Sequence, residues 1–169
     1  MARPRDKAEI RKREILENFY AVLAGEGLEG ASIAKVASRM GIHPSLIIHY
    51  FATKEEMIVG LVDHMLAKYE ATFLPRLQEI KDPERRLEAA IGAVFGSDWA
   101  RLVDPGVFYA CYSLSFRNPR VRESFQRMYA RLRGVLEDGI RGLMQEGIMV
   151  RADPGKLADL IISMLEGYE

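Results

Sequence analysis

Residues 32–54 read SIAKVASRMGIHPSLIIHYFATK, and this stretch decides how the chain is built. Val36, Ala37 and Met40 recur at helical spacing, Gly41 and Ile42 interrupt the pattern, and Ile47, Tyr50 and Phe51 resume it. Ser32 is suited to cap the first helix, because its side-chain oxygen can accept from a free backbone N–H. Gly41 falls where that helix must stop, and glycine enters the left-handed region without a side-chain penalty. Pro44 stands near the start of the second helix, where a missing N–H costs nothing. Ala37 is small enough to let the two helices cross closely. The pattern predicts a helix-turn-helix.

Charge points the same way. Between Ser32 and Lys54 there is no carboxylate, whereas Lys35, Arg39 and Lys54 are basic and His43 and His49 can become so. With 24 Asp and Glu in 169 residues, such a stretch would be expected to hold about three acids. A surface cleared of carboxylates suits docking against phosphates.

Upstream, Arg3, Arg5, Lys7, Arg11, Lys12 and Arg13 load the first segment with positive charge. Ile10, Ile15, Leu16, Phe19, Tyr20 and Leu23 give it an apolar helical stripe, and Gly25 and Gly27 are expected to end the helix. Downstream, Thr53 to Glu56 forms a capping box that opens a long helix with Met57, Ile58, Leu61, Met65, Tyr69 and Phe73 on its apolar side. Pro75 should kink or end that helix, either to transmit movement or as plain packing geometry. Asp82-Pro83, Asp104-Pro105, Asn118-Pro119 and Asp153-Pro154 each set an N-cap before a proline, predicting four further helices, with Gly147 stopping the third. No segment sustains period-two alternation, so the expected class is all-α.

The composition, 49% hydrophobic and 28% charged with zero formal net charge, is that of a globular chain whose nucleic-acid preference must come from local patches. One cysteine, Cys111, excludes an internal disulfide and fits a reducing cytoplasm. The polar start is no secretory signal, and no apolar run is long enough to span a bilayer. Enzyme chemistry finds little to work with. His43, His49 and His64 have no complementary ligand set or triad partners, so no metal and no cofactor is expected. The glycines build no phosphate loop after a strand.

On Ser32, Ile33, Val36-Ala37, Gly41-Ile42, His49-Tyr50-Phe51 and Thr53-Lys54-Glu55, with the run HYFATKEEM in register behind GIHPSL, the segment resembles the DNA-binding head of the tetracycline-repressor (TetR) family of bacterial transcription regulators. The resemblance covers the first third of the chain closely and the remainder by its helical layout. Ile48 stands where the family usually carries an aromatic, often Tyr, which leaves Tyr50 and His49 as the polar candidates nearby. The resemblance implies a DNA-binding head over residues 1–53 and a helical effector-binding and dimerisation body over residues 54–169.

The expected function is a homodimeric regulator, a repressor released from a palindromic operator by a small-molecule effector. The alternative is an all-helical ligand- or protein-binding module without sequence-specific DNA binding. His43, Ser45, Leu46 and His49 are the candidates for base edges, with Pro44 giving apolar contact, while Ser32, Tyr50 and Lys54 suit phosphates. Leu61, Phe95, Trp99, Phe108, Tyr109, Cys111, Tyr112 and Ser115 are candidates for an effector pocket or, equally, a filled aromatic core. The last two helices carry apolar stripes, Phe125, Met128, Leu132 and Leu136 on one and Leu157, Ile161, Met164, Leu165 and Tyr168 on the other, suited to a four-helix dimer interface. Acids at the final helix end, without a cap, suggest either a natural chain that extends beyond Glu169 or an end that frays.

Overall fold

The computed structural model describes residues 4–95 and 102–168. Its helices are α1 (Pro4–Gly30), α2 (Ile33–Met40), α3 (Pro44–Tyr50), α4 (Lys54–Glu79), α5 (Pro83–Phe95), α6 (Pro105–Ser115), α7 (Pro119–Gln145) and α8 (Pro154–Tyr168). No strand occurs among the described residues, and the fold is all-α.

Side-chain caps set most of these boundaries. Asp82 accepts from the Arg85 N–H at 2.9 Å, Asp104 from Val107 at 3.0 Å, Asn118 from Arg120 at 3.0 Å and Asp153 from Gly155 at 2.9 Å. Each oxygen satisfies a first-turn donor that the helix itself leaves free, as the four X–Pro steps predicted. Gly147, with φ 76°, follows the end of α7.

Three expectations need adjustment. The helical turns of α1 break at Gly27, yet one more turn follows before Gly30. Ile10 is 52% exposed rather than part of the buried stripe. It precedes Phe19 by about two and a half turns, so it points to the opposite side of the helix. Pro75 does not end α4, which runs on to Glu79. Its ring deprives the Ala71 carbonyl of its helical donor, a cost the flanking turns absorb.

The described chain gathers into two units, Met1–Leu66 with Val103–Phe125, and Ala67–Leu102 with Gln126–Glu169. In the first, α1 packs against α2 and α6, and α2 packs against α3. Ile15, Phe19, Val36, Ile47, Met57 and Leu61 are fully covered there. Burying side chains of this kind contributes about 1.5–3 kcal/mol each. A side chain at Gly60 would bring its Cβ to 3.0 Å from the Phe51 ring, so glycine lets α4 pass this close to the end of the helix-turn-helix. In the second unit Phe73 and Ala93 pack with Leu102 and Leu132. Around them Arg131 pairs with Glu70 at 2.7 Å, Arg133 with Asp159 at 2.7 Å, and Arg86 with Glu146.

Gly41 takes φ 64° and ψ 32°, and its N–H and that of Ile42 close the last turn of α2 on the Ser38 and Ala37 carbonyls at 3.2 and 3.0 Å. A β-carbon there meets the penalty of the left-handed region, about 1–2 kcal/mol. Gly41→Ala is expected to lower the unfolding free energy by about that amount in urea titrations. Gly25→Ala, on an exposed turn of α1 with open space around it, should instead raise it by about 0.5–1 kcal/mol.

Candidate nucleic-acid interface

The helix-turn-helix is built by its caps and its buried wedge. The Ser32 hydroxyl accepts from the Lys35 N–H at 3.3 Å and starts α2. Val36 and Ala37 from α2 meet Ile47 from α3, and all three are buried. His43 starts α3, its Nδ1 accepting from the Ser45 N–H at 3.3 Å and lying 2.8 Å from the Ser45 hydroxyl. Pro44 occupies the first helical position.

What α3 presents outward is the set that sequence singled out, with one addition. His43, Ser45, Leu46 and His49 are exposed, Pro44 and Tyr50 half-buried. The His49 and Tyr50 rings meet edge to face with centroids 5.1 Å apart. Ile48 is 50% exposed, more than Leu46 at 36%, so an apolar side chain stands among the outward polar ones. Only the pattern of a seven-residue helix could have signalled it, and over so few residues the periodicity does not separate Ile48 from Ile47.

Charge around the motif differs from its sequence pattern. Lys35 is ion-paired to Glu26 from α1, a carboxylate outside the acid-free stretch. Arg39 remains exposed in the last turn of α2. Lys54, half-buried, donates through Nζ to the Leu28 carbonyl, one of three ammonium donors it carries. No sequence signal links Lys54 to Leu28, which lie 26 residues apart.

The capping box closes one residue further back than its pattern implies. Glu56 N–H donates to the Thr53 hydroxyl at 3.2 Å, but its carboxylate takes the Ala52 N–H at 2.9 Å instead of that of Thr53. The other carboxylate oxygen accepts from both terminal nitrogens of Arg120, each at 3.2 Å, at the start of α7. The Ala52 hydrogen bond, and then Arg120, hold the Glu56 carboxyl below the usual carboxylate range. Further along the same pair of helices, Ser124 donates to Asp63 at 3.1 Å. The two contacts run in the same order on both helices, so over residues 56–63 and 120–124 the two run in the same direction.

The effector candidates that lie in the first unit pack tightly. Leu61, Phe108, Cys111 and Ser115 are buried, Tyr112 is half-buried, and Tyr109 is 37% exposed. Phe108 and Tyr112 meet Phe125 edge to face, with centroids 5.6 and 5.1 Å apart. Burial pushes the Cys111 thiol up to about 12, against the opposing charge of Lys54. Trp99 lies outside the described residues, as does the side chain of Phe95. Of the interface candidates, Phe125 and Met128 are buried within the chain, Leu132, Leu136, Leu157 and Ile161 are half-buried, and Met164 is 54% exposed beside Leu160 at 56%. The side chains of Leu165 and Tyr168 lie outside the described residues. No helix among the described residues is long and apolar enough to cross a membrane.

Comparison with known proteins bears on the whole chain. Residues 15–61 match the model for bacterial regulatory proteins of the tetR family, and residues 82–168 match a tetracyclin repressor-like C-terminal domain. The HTH-type transcriptional regulator BetI of Rhizobium meliloti is 23% identical over 158 residues, covering 94% of this chain and 75% of that one. BetI of Burkholderia cenocepacia is 28% identical over 115 residues, and the match covers 68% of this chain but 59% of that protein's length. Among solved structures, a transcriptional regulator from Saccharomonospora viridis in complex with choline superposes with a TM-score of 0.78 at 21% identity, covering 94% of this chain and 83% of that one. AibR, in complex with isovaleryl coenzyme A and operator DNA, superposes with a TM-score of 0.63 at 21% identity, over 92% and 83% of the two chains. At these identities the structural likeness shows a shared fold.

Because the Glu56 carboxyl is depressed in the folded state, its contribution to stability is complete above the ordinary carboxylate range. It is lost as pH falls through the depressed value. The stability difference between the native chain and Glu56→Gln is therefore expected to shrink between about pH 7 and about pH 3 in urea unfolding. A difference independent of pH would mean that the charge of Glu56 holds nothing in place.

Proposed function

The chain belongs to the tetracycline-repressor family of bacterial transcriptional regulators, and from that membership we propose that it is a homodimeric repressor of a palindromic operator, released by a small-molecule effector. The observation that carries the proposal is the exposed polar face of α3, held by caps at both ends and standing on a buried wedge. Residues 1–53 act as the head and residues 54–169 as the body in this proposal. Each subunit puts α3 into a major groove, and the two heads span half-sites about one turn of DNA apart. His43, Ser45, Leu46 and His49 meet base edges, with Pro44 and Ile48 giving apolar contact. Ser32, Tyr50 and Lys54 meet phosphates, which set register without reading sequence.

For the second copy, the exposed Leu160 and Met164 of α8, with Leu157 and Ile161 beside them, form the dimer face. Leu132 and Leu136 of α7 supply its other helix. Phe125 and Met128 are already covered within the chain and take no part in that face.

The effector is a small organic molecule taken by the body, with Tyr109, Tyr112 and Ser115 as polar anchors. Two structural neighbours carry ligands as unlike as choline and isovaleryl coenzyme A, which supports a ligand-responsive body and leaves its chemistry to be read by experiment. Such a ligand acts only through the difference in its affinity for the two states of the dimer. We place this work in the cytoplasm, where the operator is.

Selection of binding sites from random duplexes, followed by sedimentation, tests the proposal directly. A palindrome bound by one dimer, and weakened by added salt, is the expected result. No enriched sequence and no salt-dependent binding would leave the alternative, a helical ligand- or protein-binding module. On the recovered operator, Lys54→Ala is expected to weaken all sequences alike and reduce the salt slope by about one. His49→Ala should change which operator is preferred, read by repeating the selection. Ile161→Glu is expected to yield monomers in sedimentation that bind the palindrome poorly; a dimer would move the interface elsewhere.

A further inference from the structure

Residues 116–122, FRNPRVR, join α6 to α7 and carry Arg117, Arg120 and Arg122 without a carboxylate. Hydrogen bonds hold this turn from within. The N–H groups of Arg117 and Asn118 both close on the Leu114 carbonyl, at 3.0 and 2.8 Å. The Asn118 side chain accepts from the Arg120 and Val121 N–H groups at 3.0 and 3.3 Å. Arg122 donates through Nε to the Ser115 carbonyl at 2.9 Å and through a terminal nitrogen to that of Phe116 at 3.2 Å. Arg122 is therefore used on the turn itself, while Arg117 and Arg120 are exposed on a backbone that these bonds keep in one shape. The turn belongs to the same unit as the helix-turn-helix. Both terminal nitrogens of Arg120 reach one oxygen of Glu56, whose other oxygen takes the Ala52 N–H. Ala52 follows Tyr50, the last residue of α3, by at most about 7 Å of chain. A single carboxylate thus separates the Arg120 guanidinium from the exit of α3. At this junction Lys54 is half-buried with a donor on the Leu28 carbonyl, whereas the Arg120 side chain is 62% exposed and keeps N–H donors beyond those on Glu56.

We propose that Arg117 and Arg120 form a second phosphate-binding surface, by which the α6–α7 turn holds the DNA backbone beside the groove that α3 enters. The inference rests on the regulator function proposed above and extends its DNA contact from the helix-turn-helix to a turn far down the chain. A strand of B-DNA presents a phosphate about every 3.4 Å along the helix axis, so the backbone that meets Tyr50 carries further phosphates past the junction. Glu55 and Glu123 stand exposed on the adjoining helix turns, so the net charge of this end is small. Recognition rests instead on the guanidinium forks, whose parallel N–H groups match two phosphate oxygens at once. Glu56 holds the Arg120 fork in place before DNA arrives, so less ordering remains to be done on binding. Contacts of this kind fix the position of the protein on any duplex and carry no sequence information.

The test separates a phosphate contact from a structural role. Arg117→Ala leaves the hydrogen bonds of the turn in place, since Arg117 enters them only through its backbone. Arg120→Gln loses the charge but keeps a side-chain donor for Glu56. Melting curves establish that both variants are folded at the assay temperature. Each is expected to weaken the selected operator and random duplex by the same factor and to reduce the salt slope by about one per subunit. Repeating the selection should return the native sequence. The operator is then made with one phosphate at a time replaced by an uncharged methylphosphonate. At one or two positions of each half-site the native protein should lose affinity and the matching arginine variant should lose nothing further, the non-additivity that marks a direct pair. An arginine that only supported the fold would single out no phosphate. A native salt slope in either variant, or methylphosphonate penalties that add at every position, would overturn the proposal while leaving the regulator function standing. Failure to recover any operator would remove that function itself, and the proposal with it.

Discussion

The carboxylate of Glu56 ties the junction of α3 and α4 to the start of α7, 64 residues further along the chain. One oxygen takes the Ala52 N–H just beyond α3, the other takes the guanidinium of Arg120 at the start of α7, and the residue itself forms the first turn of α4. The chain leaving α3 therefore enters α4 at a point that Arg120 of α7 also fixes. Both guanidinium nitrogens converge on a single oxygen at 3.2 Å, which places the start of α7 against the first turn of α4. The exposed rim of the pair weakens it as an energy source. Its value is positional.

Beneath that clamp lies the apolar wedge that gives it something to hold. Val36, Ala37 and Ile47 close the helix-turn-helix, while Ile15 and Phe19 of α1 and Met57 and Leu61 of α4 supply the buried interior of the first unit. The α6 segment enters the same unit, where Asp104 donates its N–H to the Tyr20 hydroxyl at 2.5 Å and α6 packs on α1. The DNA-binding helices thus share a core with residues more than fifty positions downstream.

Polar groups on this head serve two purposes each. His43 caps α3 and stays exposed; Lys54 holds the Leu28 carbonyl and keeps two further donors. Lys35, a basic residue of the stretch without carboxylates, is ion-paired with Glu26 from outside it. A surface built this way presents oriented groups, so less ordering remains to be done when a ligand arrives.

Local chemistry was legible in the sequence because its causes are local. Ser32, Gly41, Pro44 and the four X–Pro caps act on donors and dihedrals within a few residues of themselves, and each stands where its residue type requires. Met57, Ile58, Leu61, Met65 and Phe73 of the apolar stripe of α4 could be read from periodicity for the same reason, while the side chain of Tyr69 lies outside the described residues. Tertiary structure alone decided the rest. Ile10 turned outward, Glu26 reached Lys35, and Glu56 met Arg120 across 64 residues, since a side chain finds such partners only after the helices have packed.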